Sequence, residues 1–239
     1  MPVNHESLPL GRLRERLSRW LLPSRCLACG DDARDTDLCP ACIASLPSNT
    51  PACVRCALPL PLPGQTCGHC LADPPSFSHA IAPWLYAGAI AHLLPRFKFH
   101  HDLACGRVLA DLACDRLSGW KGWHGATRIL PMPLHTSRLA RRGYNQALEL
   151  ARPFARTHAL PLDTTTLART RPTAPQTDLD ATARRRNVRG AFTATPLSGE
   201  TVILMDDVIT TGATAREAAR TLLRAGAAEV RMAAIARAP

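Results

Sequence analysis

Lysine is nearly missing from this chain. Of 29 basic residues only Lys98 and Lys121 are lysines, and the 19 acidic residues leave a formal net charge of +10 over 239 residues, with a pI near 9.6. The shortage of negative charge points to an anionic partner, either a pyrophosphate compound or nucleic acid. An arginine-rich, alanine-rich composition is also what genomic base bias produces, so both explanations stand. Long apolar runs are missing too. The one uncharged window, from Pro74 to Leu94, is broken by His79, Pro83, Gly88 and His92. It reads as strand, turn and helix rather than the ~20 predominantly apolar residues of a membrane span. Near the start, Arg12, Arg14, Glu15, Arg16 and Arg19 are scattered among leucines, without the continuous apolar core of a secretory leader. The ten cysteines are therefore not expected to be the disulfides of a secreted scaffold, and a reducing, cytoplasmic location is expected. What is present is 46% hydrophobic content, enough for one sizeable packed domain and a small one.

The rest of the chain is organised around residues 201–214. Val202-Ile203-Leu204-Met205 is an unbroken apolar run of the kind buried on both faces of a parallel sheet. It ends in Asp206 and Asp207. The turn Thr210-Thr211-Gly212-Ala213-Thr214 follows, and then Ala215, Ala218, Ala219, Leu222 and Leu223 recur at helical spacing. This order sets a polar site at the carboxyl edge of an open sheet. Successive backbone N–H groups, three hydroxyls and the positive end of a helix dipole favour a phosphate at the turn. Gly212 lets the backbone approach it closely. Asp206 and Asp207 would repel a bare phosphate, so they suit vicinal hydroxyls, with a Mg²⁺ ion nearby on hard oxygens.

A second pattern lies in Cys26-Leu27-Ala28-Cys29, Cys39-Pro40-Ala41-Cys42, Cys53-Val54-Arg55-Cys56 and Cys67-Gly68-His69-Cys70. Two residues between thiolates let both sulfurs face one tetrahedral ion, and two such knuckles close a four-cysteine site. Thiolates this close repel without a cation, and the segment has too few large apolar residues to fold on a core alone. Two structural zinc ions are the expectation. An iron–sulfur cluster, a redox pair or a single zinc are the alternatives, and spacing leaves sequential and interleaved pairing both open. His69 is expected to be a bystander, and Cys105 and Cys114 plain buried thiols.

Elsewhere, Leu10, Leu13, Leu17, Trp20 and Leu21 predict a short amphipathic helix ended by Pro23. Ala80 to Tyr86 reads as a strand, Ala89 to Leu94 as a helix cut by Pro95, and Arg96 to His101 as a basic loop. There Lys98 either reaches a phosphate or is solvated. Leu103 to Leu117 reads as a helix. Arg128 to His135 is a strand entering a proline-stiffened loop. Arg138, Arg141 and Arg142 then form a cationic loop beside Gly143, and Asn145 is placed to cap the next helix. The charge run Arg184 to Arg189 suits nucleic acid, substrate or a solvated face alike. Gly226 ends the last helix, and Val230 to Ile235 makes a closing strand.

Residues 202–214 resemble, at every position, the signature by which type I phosphoribosyltransferases bind phosphoribosyl pyrophosphate. Pro131-Met132-Pro133-Leu134-His135, Arg138-Leu139 and Arg141 to Ala147 are similar to the ComF family, competence-associated phosphoribosyltransferase-like proteins with an N-terminal double zinc ribbon. Arg169-Thr170-Arg171, Thr173, Gln176, Arg185, Asn187-Val188 and Ala191-Phe192 continue that pattern. Two departures are Pro95 and Pro153, each expected to kink or stop a helix. The resemblance implies an α/β type I phosphoribosyltransferase fold, a mostly parallel sheet flanked by helices. It also implies a double zinc ribbon over 25–72 and the transferase domain over 80–239, while the residues themselves give the helix over 1–24 and the linker over 73–79. By the same resemblance Thr210, Thr211, Gly212, Ala213 and Thr214 take the 5′-phosphate, and Asp206 and Asp207 the ribose hydroxyls. Pro133, Leu134 and His135 form the pyrophosphate loop and Arg141 and Arg142 close over the leaving group, with Lys98 kept as a candidate phosphate ligand on its charge. Mg²⁺ accompanies phosphoribosyl pyrophosphate, and the metal ligands are Cys26, Cys29, Cys39, Cys42, Cys53, Cys56, Cys67 and Cys70. No residue stands out as a general base, so the acceptor is unspecified. The alternative is a non-catalytic module that uses the same fold to bind single-stranded DNA or a protein of the competence machinery.

Overall fold

A computed structural model describes residues 25–33, 36–172 and 188–239. The helix expected over 1–24, and Thr173, Gln176, Arg184, Arg185, Arg186 and Asn187, lie outside them. Contacts divide the chain into two compact units, Met1–Ser45 and Leu46–Pro239. The first carries Cys26, Cys29, Cys39 and Cys42 and one short helix, α1 (Pro40–Ala44), capped where the Cys39 sulfur accepts from Cys42 N–H at 3.4 Å. The boundary falls inside the cysteine-rich stretch and not at the proline-containing connection over 73–79. The second cysteine group and that connection belong to the larger unit because Ala57 and Phe77 are packed into its core, at 1% exposure each.

The larger unit opens with Cys53 to Cys70 and helix α2 (Gly68–Ala72). Strands β1 (Ala80–Ile81) and β2 (Trp84–Leu85), helices α3 (Gly88–Phe99) and α4 (Leu103–Leu117), and β3 (Arg128–Pro131) come next. Then follow α5 (Thr136–Arg142), α6 (Gln146–Thr157), β4 (Leu167–Arg169), β5 (Phe192–Ala194), β6 (Thr201–Ile209), α7 (Ala213–Arg224) and β7 (Glu229–Arg237). The main sheet runs β3–β6–β7, with β1 and β2 paired in turn along the far edge of β7, every pair parallel. Strands β4 and β5 form a separate antiparallel pair. Val202 to Met205 are fully buried, as a doubly covered central strand requires.

Five local expectations change. The strand over 80–86 is two pieces, because Pro83 has no N–H to give a ladder. Strand β6 does not stop before the acidic pair. It continues through it, since Val208 and Ile209 favour extended backbone and pair with Ala236 and Arg237. Helix α3 passes through Pro95 and takes in Arg96 to Phe99. A proline costs about 3 kcal/mol inside a helix. Leu93, Leu94 and Phe97 are each wholly buried, and each contributes roughly 1.5–3 kcal/mol, so packing prevails. Pro153 is likewise carried inside α6, buried between Leu150, Ala151 and Phe154. Finally, the cationic segment after His135 is a helix, α5, closed at Gly143 with φ of 78°. Among the described residues no helix is long and apolar enough to cross a membrane.

Candidate functional site

The carboxyl end of β6 carries the acidic pair three residues before the strand ends. Gly212 then takes the left-handed conformation, φ 72°, and is the N-cap of α7. No atom lies within 4 Å of where a Cβ would stand on Gly212. Its glycine requirement therefore comes from backbone conformation, and the face above it stays open to a ligand. Gly212 has no side chain to accept from the first turn, where Thr211 Oγ1 accepts from Ala213 N–H at 3.4 Å. Thr210 and Thr211 are exposed. The turn thus offers hydroxyls and helix-start amides at one place.

The two carboxylates sit on alternate sides of the strand and differ in partner. Asp207 is 4% exposed and its Oδ2 lies 2.9 Å from Lys98 Nζ, delivered by the last turn of α3. Helix α3 can deliver that ammonium only because it continues beyond Pro95. Asp206 is half-buried and accepts from Asp207 N–H at 2.8 Å. Burial, and next the Asp207 charge, raise the Asp206 carboxyl to about 7, while the Asp207 amide, Lys98 and Arg169 pull the other way. A carboxylate held at that cost is characteristic of sites that bind a ligand rather than of settled structure.

Register brings the next loop alongside. Pro131 pairs with Met205, and Met132 N–H donates to Met205 O at 2.7 Å, so Pro133, Leu134 and His135 leave the sheet beside the acidic pair. The His135 ring accepts from Ser137 N–H at 3.2 Å and caps α5. Asn145 caps α6, its side chain accepting from Ala147 N–H at 3.0 Å and donating to Met132 O at 3.2 Å. The Tyr144 hydroxyl donates to Phe97 O, and its ring lies 5.4 Å from that of Phe97, tying this turn to the helix that carries Lys98. Arg142 lies over the Phe99 ring at 5.4 Å, and Arg141 is exposed.

Two cations near this edge were not among the expected site residues. Arg169 on β4 is 8% exposed and lies over the Phe192 ring at 5.4 Å. Burial, then Arg138, lower its guanidinium to about 10, with Asp206 opposing and Arg171 adding to the fall. Arg138 is half-buried, and burial followed by Arg142 and Arg141 lower it as well. Besides its place in the family-like run Arg169-Thr170-Arg171, the sequence held one local signal for Arg169. It stands two residues after Leu167 in a strand, so the two share the inward face.

The eight knuckle cysteines form two groups, Cys26, Cys29, Cys39 and Cys42, and Cys53, Cys56, Cys67 and Cys70, with sulfurs in each lying within 4.8 Å of one another. Pairing is sequential. A zinc–sulfur bond of about 2.3 Å implies tetrahedral edges of about 3.8 Å, and the Cys29–Cys39 and Cys56–Cys67 sulfurs are 3.7 and 3.6 Å apart. The groups therefore fit zinc. Burial pushes the Cys26 and Cys53 thiols up, but backbone N–H groups, first those of Cys39 and Cys67 respectively, outweigh it and leave them at about 6 and about 7. Cys42, beside Cys29 and Cys39, and Cys70, by burial and Cys56, are driven upward. Mutual repulsion of this kind is what a bound cation relieves. His69 belongs to neither group and is exposed, and Cys105 and Cys114 are buried thiols.

The double zinc ribbon domain family matches residues 17–71, and the phosphoribosyl transferase domain family matches residues 139–239. DNA utilization protein YhgH of Salmonella typhimurium is 33% identical over 199 residues, 82% of this chain and 88% of that protein. Competence protein F of Haemophilus influenzae is 33% identical over 223 residues, 90% of this chain and 97% of that protein. A solved structure of Leishmania donovani UMP synthase aligns at 22% identity and a TM-score of 0.31 over 55% of this chain and 22% of that one. Identity maintained across nearly the whole of Competence protein F, together with the two family matches on this chain, means that the chain belongs to the ComF family of competence-associated, phosphoribosyltransferase-like proteins.

Proposed function

We propose that the carboxyl edge of the sheet binds phosphoribosyl pyrophosphate with Mg²⁺ and transfers its phosphoribose to an acceptor, in the service of DNA uptake or use. The observation that carries this reading is the acidic pair Asp206 and Asp207 at the end of β6, with an open, left-handed Gly212 at the start of α7 six residues after Asp206. Thr210 to Thr214 hold the 5′-phosphate through amides and hydroxyls. Asp206 and Asp207 accept from the ribose hydroxyls. Pro133 to His135 cradle the pyrophosphate, and Arg141 and Arg142, joined by Arg138, stabilise the charge that grows on it as the anomeric bond breaks. When bound, Mg²⁺ supplies charge neutralisation at the pyrophosphate oxygens, with the acidic pair as its protein-side oxygens. Lys98 pairs with Asp207 in the free protein and shifts toward a phosphate when the hydroxyls take over that carboxylate. The β4–β5 pair, which carries Arg169, borders the space for the acceptor.

Millimolar phosphoribosyl pyrophosphate with Mg²⁺ is expected to raise Tm. At a hundredfold excess over Kd the gain is about 2.7 kcal/mol, or roughly 5–10 °C for a domain of this size. Asp206→Asn keeps the fold and removes the shift. An unchanged wild-type melting curve rejects the reading. The names of the relatives and the net charge of +10 favour a second one, direct binding of single-stranded DNA. It requires an affinity that falls steeply with salt, and absence of retention at low salt rejects it.

A further inference from the structure

The turn at Thr210 is bracketed by two arginines, one reaching into the second cysteine ribbon and the other gripping the connection that leaves it. Before the turn, Arg237 on β7 is opposite Ile209, the last residue of β6. Its side chain, 7% exposed, donates from Nη1 to Ile209 O at 3.1 Å and from Nε to Cys56 O at 3.2 Å. Ile209 O also accepts from Ala238 N–H at 2.9 Å, so both of its lone pairs are used. After the turn, Arg216 in the first turn of α7 donates from Nη2 to Asp73 O at 2.8 Å and from Nη1 to Pro74 O at 3.1 Å. Its Nη1 also lies 3.3 Å from the Asp73 carboxylate. Asp73 stands three residues past Cys70 and caps α2. Ala57 and Phe77 share one apolar cluster with Ala215, Ala218, Ala219 and Leu222 of α7.

A knuckle holds its backbone only while its sulfurs are drawn to one ion. Four thiolates on Zn²⁺ leave a net double negative charge, and the Arg237 guanidinium beside Cys56 offsets part of it. Without the ion nothing draws the four sulfurs together, the Cys56 carbonyl is no longer fixed, and the Arg237 bridge loses one end.

We infer that Arg237 and Arg216 are positioning residues through which the metal-held second ribbon fixes the turn from Thr210 to Thr214. Metal at Cys53, Cys56, Cys67 and Cys70 thereby sets the turn's affinity for a phosphorylated ligand. That last statement about affinity rests on the proposed function, whereas the positioning does not. By reciprocity, a ligand on the turn must tighten metal in the second ribbon.

Hydrogen exchange on full-length, zinc-loaded protein tests the positioning without any ligand. In Arg237→Ala and in Arg216→Ala, amides of 210–214 are expected to exchange about tenfold faster while 129–130 and 202–205 keep their protection. Cys26→Ser leaves the turn unchanged. A turn whose exchange does not change in either arginine variant overturns the inference, as does a rise that is uniform across the sheet or equal in Cys26→Ser. The reciprocal arm uses Cys26→Ser, which retains the second ribbon's metal. Phosphoribosyl pyrophosphate with Mg²⁺ is expected to slow zinc loss to a chelator about fivefold there, and to lose that effect when Arg237→Ala is added. Binding of the ligand with no slowing overturns the coupling. Failure of the ligand to bind wild type, with turn exchange still responding to the arginines, rejects the proposed function and leaves the positioning intact.

Discussion

The two ends of the same parallel sheet treat charge in opposite ways. At the amino end, Arg128 on β3 pairs with Asp163 at 3.0 Å and Glu200 at 3.2 Å. Asp163 also accepts from Thr165 and Thr166 N–H at 2.8 and 3.0 Å. Burial works against the Asp163 carboxylate, but the Thr166 hydroxyl, those amides and Arg128 outweigh it and hold it well below the usual range. Glu229, at the start of β7, is drawn to about 2, first by Arg231 and in spite of burial. At the carboxyl end the directions reverse, with Asp206 raised and Arg169 lowered, both chiefly by burial. One edge spends its charges on the fold, and the other keeps them desolvated and in tension, as a site awaiting a charged ligand does.

The largest effect that would test this contrast is at Lys98. Lys98→Met leaves Asp207 buried without its cation and is expected to cost about 3–4 kcal/mol in denaturant unfolding. A loss under 1 kcal/mol would mean that the carboxyl edge does not hold its charges out of water. Asp163→Ala comes next, at about 2 kcal/mol, since two amides, two hydroxyls and part of Arg128 lose an acceptor. Its cost should be present at pH 7 and fade as pH falls below 4, because a depressed carboxyl contributes only above its unfolded pKa. Asp206→Asn carries the smallest change and the opposite sign. Between about pH 4 and 7 the folded state binds the proton more tightly than the unfolded chain, so wild-type stability falls as pH rises through that window. The variant should therefore melt a few degrees higher than wild type at pH 8 and equally at pH 4. A lower melting point at pH 8 would abolish the contrast between the edges.

Much of the site was legible because it is contiguous. Val202 to Thr214 carries strand, acidic pair, turn and helix start in one stretch, and C-x-x-C spacing encodes a ligand set within a few residues. The acidic pair's place inside β6 was harder, because whether Val208 and Ile209 extend the strand depends on Ala236 and Arg237 being there to pair with them. The course of α3 and α6 through Pro95 and Pro153 was not legible either. A proline's local cost can be read from sequence, but the burial of Leu93, Leu94, Phe97 and Phe154 that exceeds it cannot.

By itself the sequence determined the parallel α/β class, the strand, turn and helix order around Gly212, the acidic pair and the eight knuckle cysteines, because each depends on neighbours a few residues apart. Only the tertiary structure decided that Lys98 meets Asp207, that Arg169 faces the acidic edge, and that Arg237 and Arg216 link the second ribbon to the turn. Those contacts join residues far apart in the chain, and a single charged side chain carries no local mark of the partner that folding will bring to it.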